Sequence, residues 1–506
     1  MPVPHESGCF RNLLRPTSCH ANTKYQIRKQ KAWYIISLAP AWKRQHQPAC
    51  TNCGCGILFQ AASLTETENT NTTVKQAINQ LGVAERARRR ITRRILPYLF
   101  ILYIVAYLDR INLSYAALEM NKDLRFSPEV YGFGAGIFFA GYSLLEIPGT
   151  ILVERWSARA WIARIMISWG IVAVLTGFVH TATQFYWSRF LLGVAEAGFF
   201  PGIIVYLSHW FRFADRATAL ALFMAAQPIS NMIGAPISGL LLGTKWLGLP
   251  GWRWLFILEG IPAVLLGVVT LFYLTDWPHQ ARWLPDAERQ WITTELEDEK
   301  RVRQEAHPYG VWQTLGQLRV VLLIVAYFFI ATSVYGFTFW MPTIVKNLSG
   351  FSNLSVSLLS ALPYCVGLGA ILFVGWSSDR TGERRWHTAF PMAVAGIGLA
   401  LAVVSQNVPL MMISMFSLAA AGMYGYIPAF WSLPSSFLTG TVAAVSIGLI
   451  NSIGNLGGFA GSYIVGTAHS FSAGVIYLSL SAVLAAGLVL SLSMGRQKQR
   501  LAAETA

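Results

Sequence analysis

Two residues of opposite charge lie in an otherwise apolar stretch, residues 187–202, which reads WSRFLLGVAEAGFFPG. Arg189 and Glu196 are seven positions apart, so on an α-helix they share one face, about two turns or roughly 10 Å from each other. Charges inside a bilayer are energetically expensive and usually face a polar cavity. There a guanidinium group binds anions, and a carboxyl group takes up or releases a proton.

The composition places this stretch in a membrane protein. Of the 506 residues, 54% are hydrophobic and 12% are charged, and the mean hydropathy is +0.45, whereas soluble domains have about 25% charged residues. The net charge of +15 does not predict nucleic-acid binding, because Lys and Arg lie in the N-terminal tail and in short segments between apolar runs. Five of the six cysteines precede the first apolar run, so we expect no disulfide framework in the membrane part.

The apolar segments predict an all-α polytopic membrane protein with twelve transmembrane helices in two pseudo-symmetric six-helix halves. The predicted halves are residues 95–275 and 319–495, joined by a cytoplasmic linker, 276–318, that contains a surface helix beginning near Asp286. The twelve segments are 95–117, 131–153, 161–180, 184–208, 217–243, 253–275, 319–345, 355–376, 388–405, 408–433, 439–467 and 471–494.

The two ends of the chain are predicted to be cytoplasmic. A basic collar, residues 85–94, precedes the first span, and the other basic loops and the tail 496–506 fall on the same side when there are twelve spans. Residues 1–94 read as a disordered tail or as an upstream extension that is not translated. The spacing of Cys50, Cys53 and Cys55 leaves a zinc site there as an alternative.

An internal repeat supports the two halves. The string GWSSDRTGERR follows the eighth span at 375–385, and TILVERWSAR follows the second at 150–159, an offset of 225 positions. Each string pairs an acidic residue with Arg at the cytoplasmic end of a span. The candidate gating residues in these loops are Glu154, Arg155, Arg159, Asp379, Arg380 and Arg384.

Several of these strings carry a family resemblance. The 375–385 string resembles the loop signature of the major facilitator superfamily, and Arg189 with Gly193 resembles its second signature. The strings YLDRINLS, GYSLLEIP and RFLLGVAEAGFFPG, beginning at 107, 141 and 189, resemble the anion:cation symporter family of tartrate, phthalate, hexuronate and galactonate permeases. The resemblance covers about residues 88–495. Thr150 and Ser157 depart from it, since the first-half loop signature has Gly there.

Further polar residues are predicted to lie at the same depth in the membrane as Arg189 and Glu196. Asp109 and Arg110 lie in the outer half of the first span, and a polar and aromatic stripe runs along that helix. A binding site at the midplane between the halves is typical of this transporter class. The candidate substrate-binding residues are Arg110, Arg189, Tyr107, Tyr142, Gln227, Asn451 and, from the resemblance, Trp431.

The two arginines favour an anionic substrate, because a guanidinium pairs with a carboxylate and stays charged. Protonation of Glu196, together with Asp109, would free that positive charge for the substrate, a role that the resemblance also implies. We therefore expect a proton-coupled symporter that imports a small organic carboxylate, such as tartrate, a sugar acid or an aromatic acid, by alternating access. Its expected partners are the anion, the proton and the lipid of a bacterial inner membrane, with no cofactor, metal or nucleic acid, and we expect a monomer.

Other interpretations stay open. One alternative is that Asp109 and Arg189 form a structural salt bridge. For Glu146 and Glu259 we expect structural roles. The string GAPISG at 234–239 partly resembles an antiporter signature, so a proton-coupled efflux antiporter is the main alternative, followed by an acid sensor that does not transport. Enzyme activity is disfavoured: GLLLGTK at 239–245 lacks the spacing of a P-loop.

Overall fold

The computed structural model describes residues 56–304, 317–437 and 440–492. The chain divides into two compact units, residues 1–78 and 79–506. In the first unit the described residues, 56–78, are helical. The second unit contains all the spans. The possible zinc cluster at Cys50, Cys53 and Cys55 and the predicted tail 496–506 lie outside the described residues.

Helices dominate the part of the chain that forms the first predicted half and the linker. A 3-10 turn at Pro278–Gln280 precedes the linker helix, and a two-residue antiparallel hairpin, β1 (Lys245–Trp246) with β2 (Leu249–Pro250), lies between the fifth and sixth spans. The helices are α1 (Gly56–Asp123), α2 (Pro128–Arg155), α3 (Ala158–Thr176), α4 (Ala182–Glu196), α5 (Phe199–Trp210), α6 (Phe213–Met224), α7 (Ala226–Leu242), α8 (Gly251–Tyr273) and α9 (Asp286–Gln304).

The second half repeats this pattern. Its helices are α10 (Leu318–Ser349), α11 (Asn353–Thr381), α12 (Trp386–Val404), α13 (Pro409–Gly425), α14 (Ile427–Phe437), α15 (Gly440–Gly454), α16 (Leu456–Thr467) and α17 (Phe471–Ser491). By length and composition, 10 helical segments in the described residues can cross a membrane. The two remaining predicted spans coincide with α2 and with α15 and α16 together. Each of the twelve predicted segments therefore has a helical counterpart.

Four spans, each predicted as one segment, are divided into two consecutive helices. The interruptions lie at Ala197–Gly198, Ala225, Tyr426 and Asn455. These are the fourth, fifth, tenth and eleventh spans, so each interruption in one half has a counterpart in the other. The break at Gly198 is sharp, whereas Ala225, Tyr426 and Asn455 keep helical dihedral angles and interrupt the helix only locally.

Two seams join the halves. Helix α2 packs against α16, and α7 packs against α11. In span numbers these are the second with the eleventh and the fifth with the eighth, so exchanging the halves converts one seam into the other. That relation is the pseudo-symmetry that the sequence repeat predicted.

The linker helix α9 begins at Asp286, where the sequence predicted a surface helix. It contacts the basic collar: Glu288 lies 3.2 Å from Arg90 and 3.7 Å from Arg86. Beside it, the Arg94 guanidinium lies over a ring of the linker residue Trp283, at 4.9 Å. The collar therefore binds the linker through charge as well as through stacking.

Helices α2 and α4 approach each other closely at two glycines. A Cβ atom on Gly193 would lie 2.1 Å from the carbonyl oxygen of Phe138, and one on Gly141 would lie 2.3 Å from that of Phe190. These contacts are with backbone atoms, which a side-chain rotation does not relieve. The helix that carries Arg189 and Glu196 thus depends on glycine for its position.

We expect Gly193→Ala to lower the thermal unfolding midpoint of the purified protein by several degrees, since overpacking of this kind costs about 1–3 kcal/mol. Gly487→Ala is the matched control, because Gly487 is exposed on α17 with nothing within 4 Å of its Cβ position. Equal unfolding midpoints for the two variants would contradict the close approach of α2 and α4.

Candidate functional site

The fourth span is interrupted directly after Glu196. Helix α4 begins with a capping box between Thr181 and Gln184 and ends at Glu196. Gly198 then takes φ +84°, a left-handed conformation that side-chain-bearing residues rarely adopt. The Glu196 carboxyl group therefore lies at the C-terminal end of a helix, where the partial negative charge of the helix dipole disfavours a carboxylate. Its ionised form needs a cation close by.

Arg110 of α1 supplies that cation. Its Nη2 donates to Glu196 Oε1 in an ion pair whose side chains are 11% and 5% exposed. Its Nη1 donates to the hydroxyl of Tyr335 at 3.1 Å. Tyr335 follows Arg110 by 225 positions, the offset of the sequence repeat, so equivalent positions of the two halves meet here. The rings of Tyr107 and Tyr142 lie 5.2 and 5.7 Å from the guanidinium carbon, a cation–π arrangement.

A cavity of about 50 Å³ lies beside this ion pair, between the halves. Each of the four interrupted spans contributes lining residues next to its interruption: Glu196 and Phe199, Met224 and Gln227, Tyr426 and Ile427, and Asn455. The other lining residues are Tyr103, Tyr107, Arg110, Tyr142, Phe200, Tyr327, Ala331, Val334, Tyr335, Trp431 and Asn451. Seven of the nine candidate substrate-binding and proton-coupling residues line the cavity: Tyr107, Arg110, Tyr142, Glu196, Gln227, Trp431 and Asn451.

Arg189 does not line this cavity. It is fully buried in α4, and its guanidinium carbon lies 5.2 Å from the ring centroid of Phe138. The Arg110 guanidinium carbon lies 5.3 Å from the same centroid, so Phe138 is a shared neighbour of the two cations. Among the described residues, the three guanidinium nitrogens of Arg189 have no hydrogen-bond partner. The sequence predicted that both arginines surround one cavity. In the structure Arg110 lines the cavity and Arg189 does not.

Asp109 also lies away from the cavity. Its Oδ2 accepts a hydrogen bond from Trp169 Nε1 at 3.0 Å, and it is 2% exposed. Among the ion pairs of the described residues within 4.0 Å, none joins Asp109 to Arg189, so the alternative of a direct structural salt bridge is not observed. Both oxygens of Glu259, on α8, are likewise buried without a hydrogen-bond partner in the described part of the chain. Adjacent residues of α1, Asp109 and Arg110, thus belong to different polar environments.

The candidate gating residues of the first half lie at the ends of α2 and α3. Glu154 and Arg155 are the last residues of α2, and their side chains are outside the described part. The backbone N–H of Arg159 donates to Asp276 Oδ1 at 2.9 Å, and its Nη1 donates to the carbonyl of Leu271 at 3.1 Å. Arg159 therefore connects the start of α3 to the end of the sixth span and to Asp276, which follows it.

The corresponding residues of the second half form a local cluster. Arg384 pairs with Asp379 at 2.8 Å and donates to the Ser378 hydroxyl at the same distance. The Arg380 guanidinium lies 5.5 Å from a ring of Trp376. The contacts of Arg384 connect the end of α11 to the loop that leads into α12.

Among the polar residues that line the cavity, Tyr335 and Asn455 were not among the predicted site residues. Glu146, for which the sequence favours a structural role, accepts a hydrogen bond from the Asn451 amide across the seam. An acidic residue in an apolar run was the available signal for Glu146. The helix interruption that brings Asn455 to the cavity carries no such signal.

The family model of the Major Facilitator Superfamily matches residues 99–462. The chain belongs to this superfamily. It is therefore a multi-pass membrane transport protein and not an enzyme, and the predicted all-α fold with twelve spans is confirmed.

Individual relatives extend this result. A protein of Agrobacterium vitis that is provisionally named a tartrate transporter is similar to this chain. The two are 45% identical over 81% of this chain and 95% of the relative. A protein named a quinolone resistance transporter, from Acinetobacter baumannii, is 37% identical over 82% and 96%. In fold, the chain is similar to the xylose transporter XylE of E. coli, with a TM-score of 0.63, 14% identity, and coverage of 80% of this chain and 98% of that one.

We expect Glu196→Leu to destabilise the protein strongly, because it leaves the buried Arg110 charge without its partner, a loss of about 3–5 kcal/mol in a dry interior and less beside a cavity. The double variant Arg110→Leu/Glu196→Leu should recover most of the lost stability, since no unpaired charge remains. Thermal unfolding in one detergent compares four proteins: the wild type, Glu196→Leu, Arg110→Leu and the double variant. A double variant as unstable as the two single losses added together would show that the pair is not a coupled unit.

Proposed function

We propose that this protein is a proton-coupled symporter for small organic carboxylates. The observation that carries the proposal is the ion pair between Arg110 and Glu196 at the wall of the cavity. A guanidinium that is accessible from a cavity is suited to bind a carboxylate. Here the protein's own carboxylate already occupies it, so substrate and Glu196 compete for the same cation.

Protonation of Glu196 resolves that competition. A proton on the carboxyl group removes its negative charge and weakens its hold on Arg110, and the helix end at Glu196 favours the neutral form. The substrate carboxylate then takes over the guanidinium. On release, the carboxylate leaves, Glu196 loses its proton and the ion pair forms again. Proton and anion binding favour each other, which is the linkage that symport requires.

The cavity volume indicates that binding needs movement. About 50 Å³ accommodates a few water molecules and not a whole dicarboxylate. In the predicted orientation, two hydrogen bonds link the halves at the extracellular end: Tyr131 donates to the Phe339 carbonyl at 2.9 Å, and Asn353 donates to Glu119 at 2.9 Å. Separation of α2 from α16 and of α7 from α11 would open that side, as alternating access requires.

The substrate class is proposed from the cavity and the relatives together. One cation, several tyrosines and the amides of Gln227, Asn451 and Asn455 match an anion with further polar groups. The Agrobacterium vitis relative, named for tartrate, is consistent with such an acid.

We further propose that the protein lies in a bacterial inner membrane, as a monomer, with both termini in the cytoplasm.

Drug efflux is the second candidate, favoured by the Acinetobacter baumannii relative named for quinolone resistance. The string GAPISG at 234–239 of α7, which partly resembles an antiporter signature, also supports it. Two assays in vesicles of known orientation separate the candidates. Under an inward proton gradient, symport predicts accumulation of labelled tartrate, whereas antiport predicts extrusion of a preloaded fluoroquinolone.

In proteoliposomes, we expect Glu196→Gln to abolish uphill uptake of labelled tartrate driven by a proton gradient while retaining tartrate exchange. Glutamine keeps a hydrogen-bonding oxygen for Arg110 but cannot exchange a proton at this site. Glu297→Gln is the control, since Glu297 is exposed on the linker helix α9, outside the cavity and the links between the halves, and should leave uphill uptake intact. Continued uphill accumulation by Glu196→Gln would overturn the assignment of Glu196 as the coupling residue.

A further inference from the structure

A hydrogen bond between Glu146 of α2 and Asn451 of α15 crosses the seam between the two halves. The side chains are 2% and 6% exposed, and the Asn451 amide nitrogen donates to Glu146 Oε1. Next to this link, the Ser143 hydroxyl donates to the Ser452 carbonyl at 2.8 Å. The contact therefore joins the two halves at a fixed register and is not a chance approach of surface groups.

This hydrogen bond determines which end of the Asn451 amide remains available. In the structure the NH₂ group of Asn451 turns toward Glu146 and donates to its Oε1, so the amide oxygen points away from that contact. Asn451 also lines the cavity, and its amide oxygen is the end that Glu146 leaves unused. The cavity wall formed by α15 therefore presents an acceptor at this position.

A second acceptor lies one helical turn away. Asn455 lines the same cavity, and its Oδ1 is buried without a hydrogen-bond partner in the described part of the chain. Residues four apart on a helix are neighbours, at about 5–6 Å between Cβ atoms. The first half contributes Arg110 to the cavity, a donor with a positive charge. The cavity thus has a cationic wall on one half and an acceptor wall on the other.

A carbonyl oxygen repels a carboxylate and accepts a hydrogen bond from a hydroxyl group. A ligand that satisfies both walls has a carboxylate for Arg110 and hydroxyl groups for Asn451 and Asn455. A site built to hydrogen-bond a hydroxyl group rejects analogues that lack it, because its buried polar atoms are then left unpaired.

We propose that Glu146 is a specificity-determining positioning residue, which fixes the amide of Asn451 so that the transporter selects hydroxylated carboxylates over carboxylates without hydroxyl groups. This inference rests on the proposed transport of organic carboxylates. It assigns to Glu146 no contact with substrate and no part in proton coupling. It also favours tartrate-like and sugar acids over aromatic acids that lack aliphatic hydroxyl groups.

The test uses three dicarboxylates with the same four-carbon skeleton. Tartrate has two hydroxyl groups, malate has one and succinate has none, so their relative KM values isolate the hydroxyl groups from the charge. For the full-length protein in proteoliposomes we expect the KM of tartrate to be at least about 10-fold below that of succinate, with malate between them. In Glu146→Leu the Asn451 amide is free to rotate, and the ratio should fall to within about 3-fold.

Three further variants separate positioning from simple loosening of the seam. Ser143→Ala removes the neighbouring hydrogen bond and keeps Glu146, so it should retain the tartrate preference. Glu146→Gln keeps an acceptor oxygen and should retain part of it. Asn451→Ala removes the acceptor itself and should lose the preference even if Glu146→Leu does not fold.

The failures are distinguishable. Equal KM values for the three acids in the wild-type protein, or an unchanged preference in both Glu146→Leu and Asn451→Ala, would overturn the role of Glu146 while leaving carboxylate transport intact. Loss of the preference in Ser143→Ala would assign the effect to the seam as a whole and overturn it too. No uptake of any of the three acids would overturn the proposed function, and this inference with it.

Discussion

A guanidinium inside a membrane protein must have its charge matched close by, because an isolated charge in a low-dielectric medium is very costly. For Arg110 the match is Glu196, and much of the central architecture follows from bringing the two together. The left-handed Gly198 ends α4 directly after Glu196, and glycine at 141 and 193 lets α4 approach α2. The two charges neutralise each other, but the ion pair borders a cavity. An anion that enters the cavity can therefore compete with Glu196 for Arg110.

The interrupted helices explain why the cavity lies where it does. All four interruptions border it, and they come in two pairs related by the exchange of halves. At the sharp break at Gly198 the regular helix stops, and a membrane protein tolerates irregular backbone only where it lines a cavity or is buried in protein. The contact of Arg110 with Tyr335, at equivalent positions of the repeat, places the polar centre where the two halves meet.

The buried charges lie in two separate environments, whereas the sequence predicted a single site. Arg110 and Glu196 border the cavity, whereas Arg189, Asp109 and Glu259 lie among side chains that leave several of their polar atoms unpartnered in the described residues. Phe138 lies beside both arginines. The two centres are therefore close enough to influence each other electrostatically, while Arg110 lines the cavity and Arg189 does not.

The sequence by itself determined the number of spans, the all-α class, the family and the residue types at the centre, because hydropathy, charge placement and short motifs are local properties of the chain. It also predicted seven of the residues that line the cavity. Helical periodicity fixes the depth and face of a residue on its own helix, but it does not fix how that helix is rotated against its neighbours or where it is interrupted. Only the tertiary structure could decide that Arg110 and not Arg189 lines the cavity, and that Glu146 reaches Asn451, since both depend on packing between helices far apart in the chain.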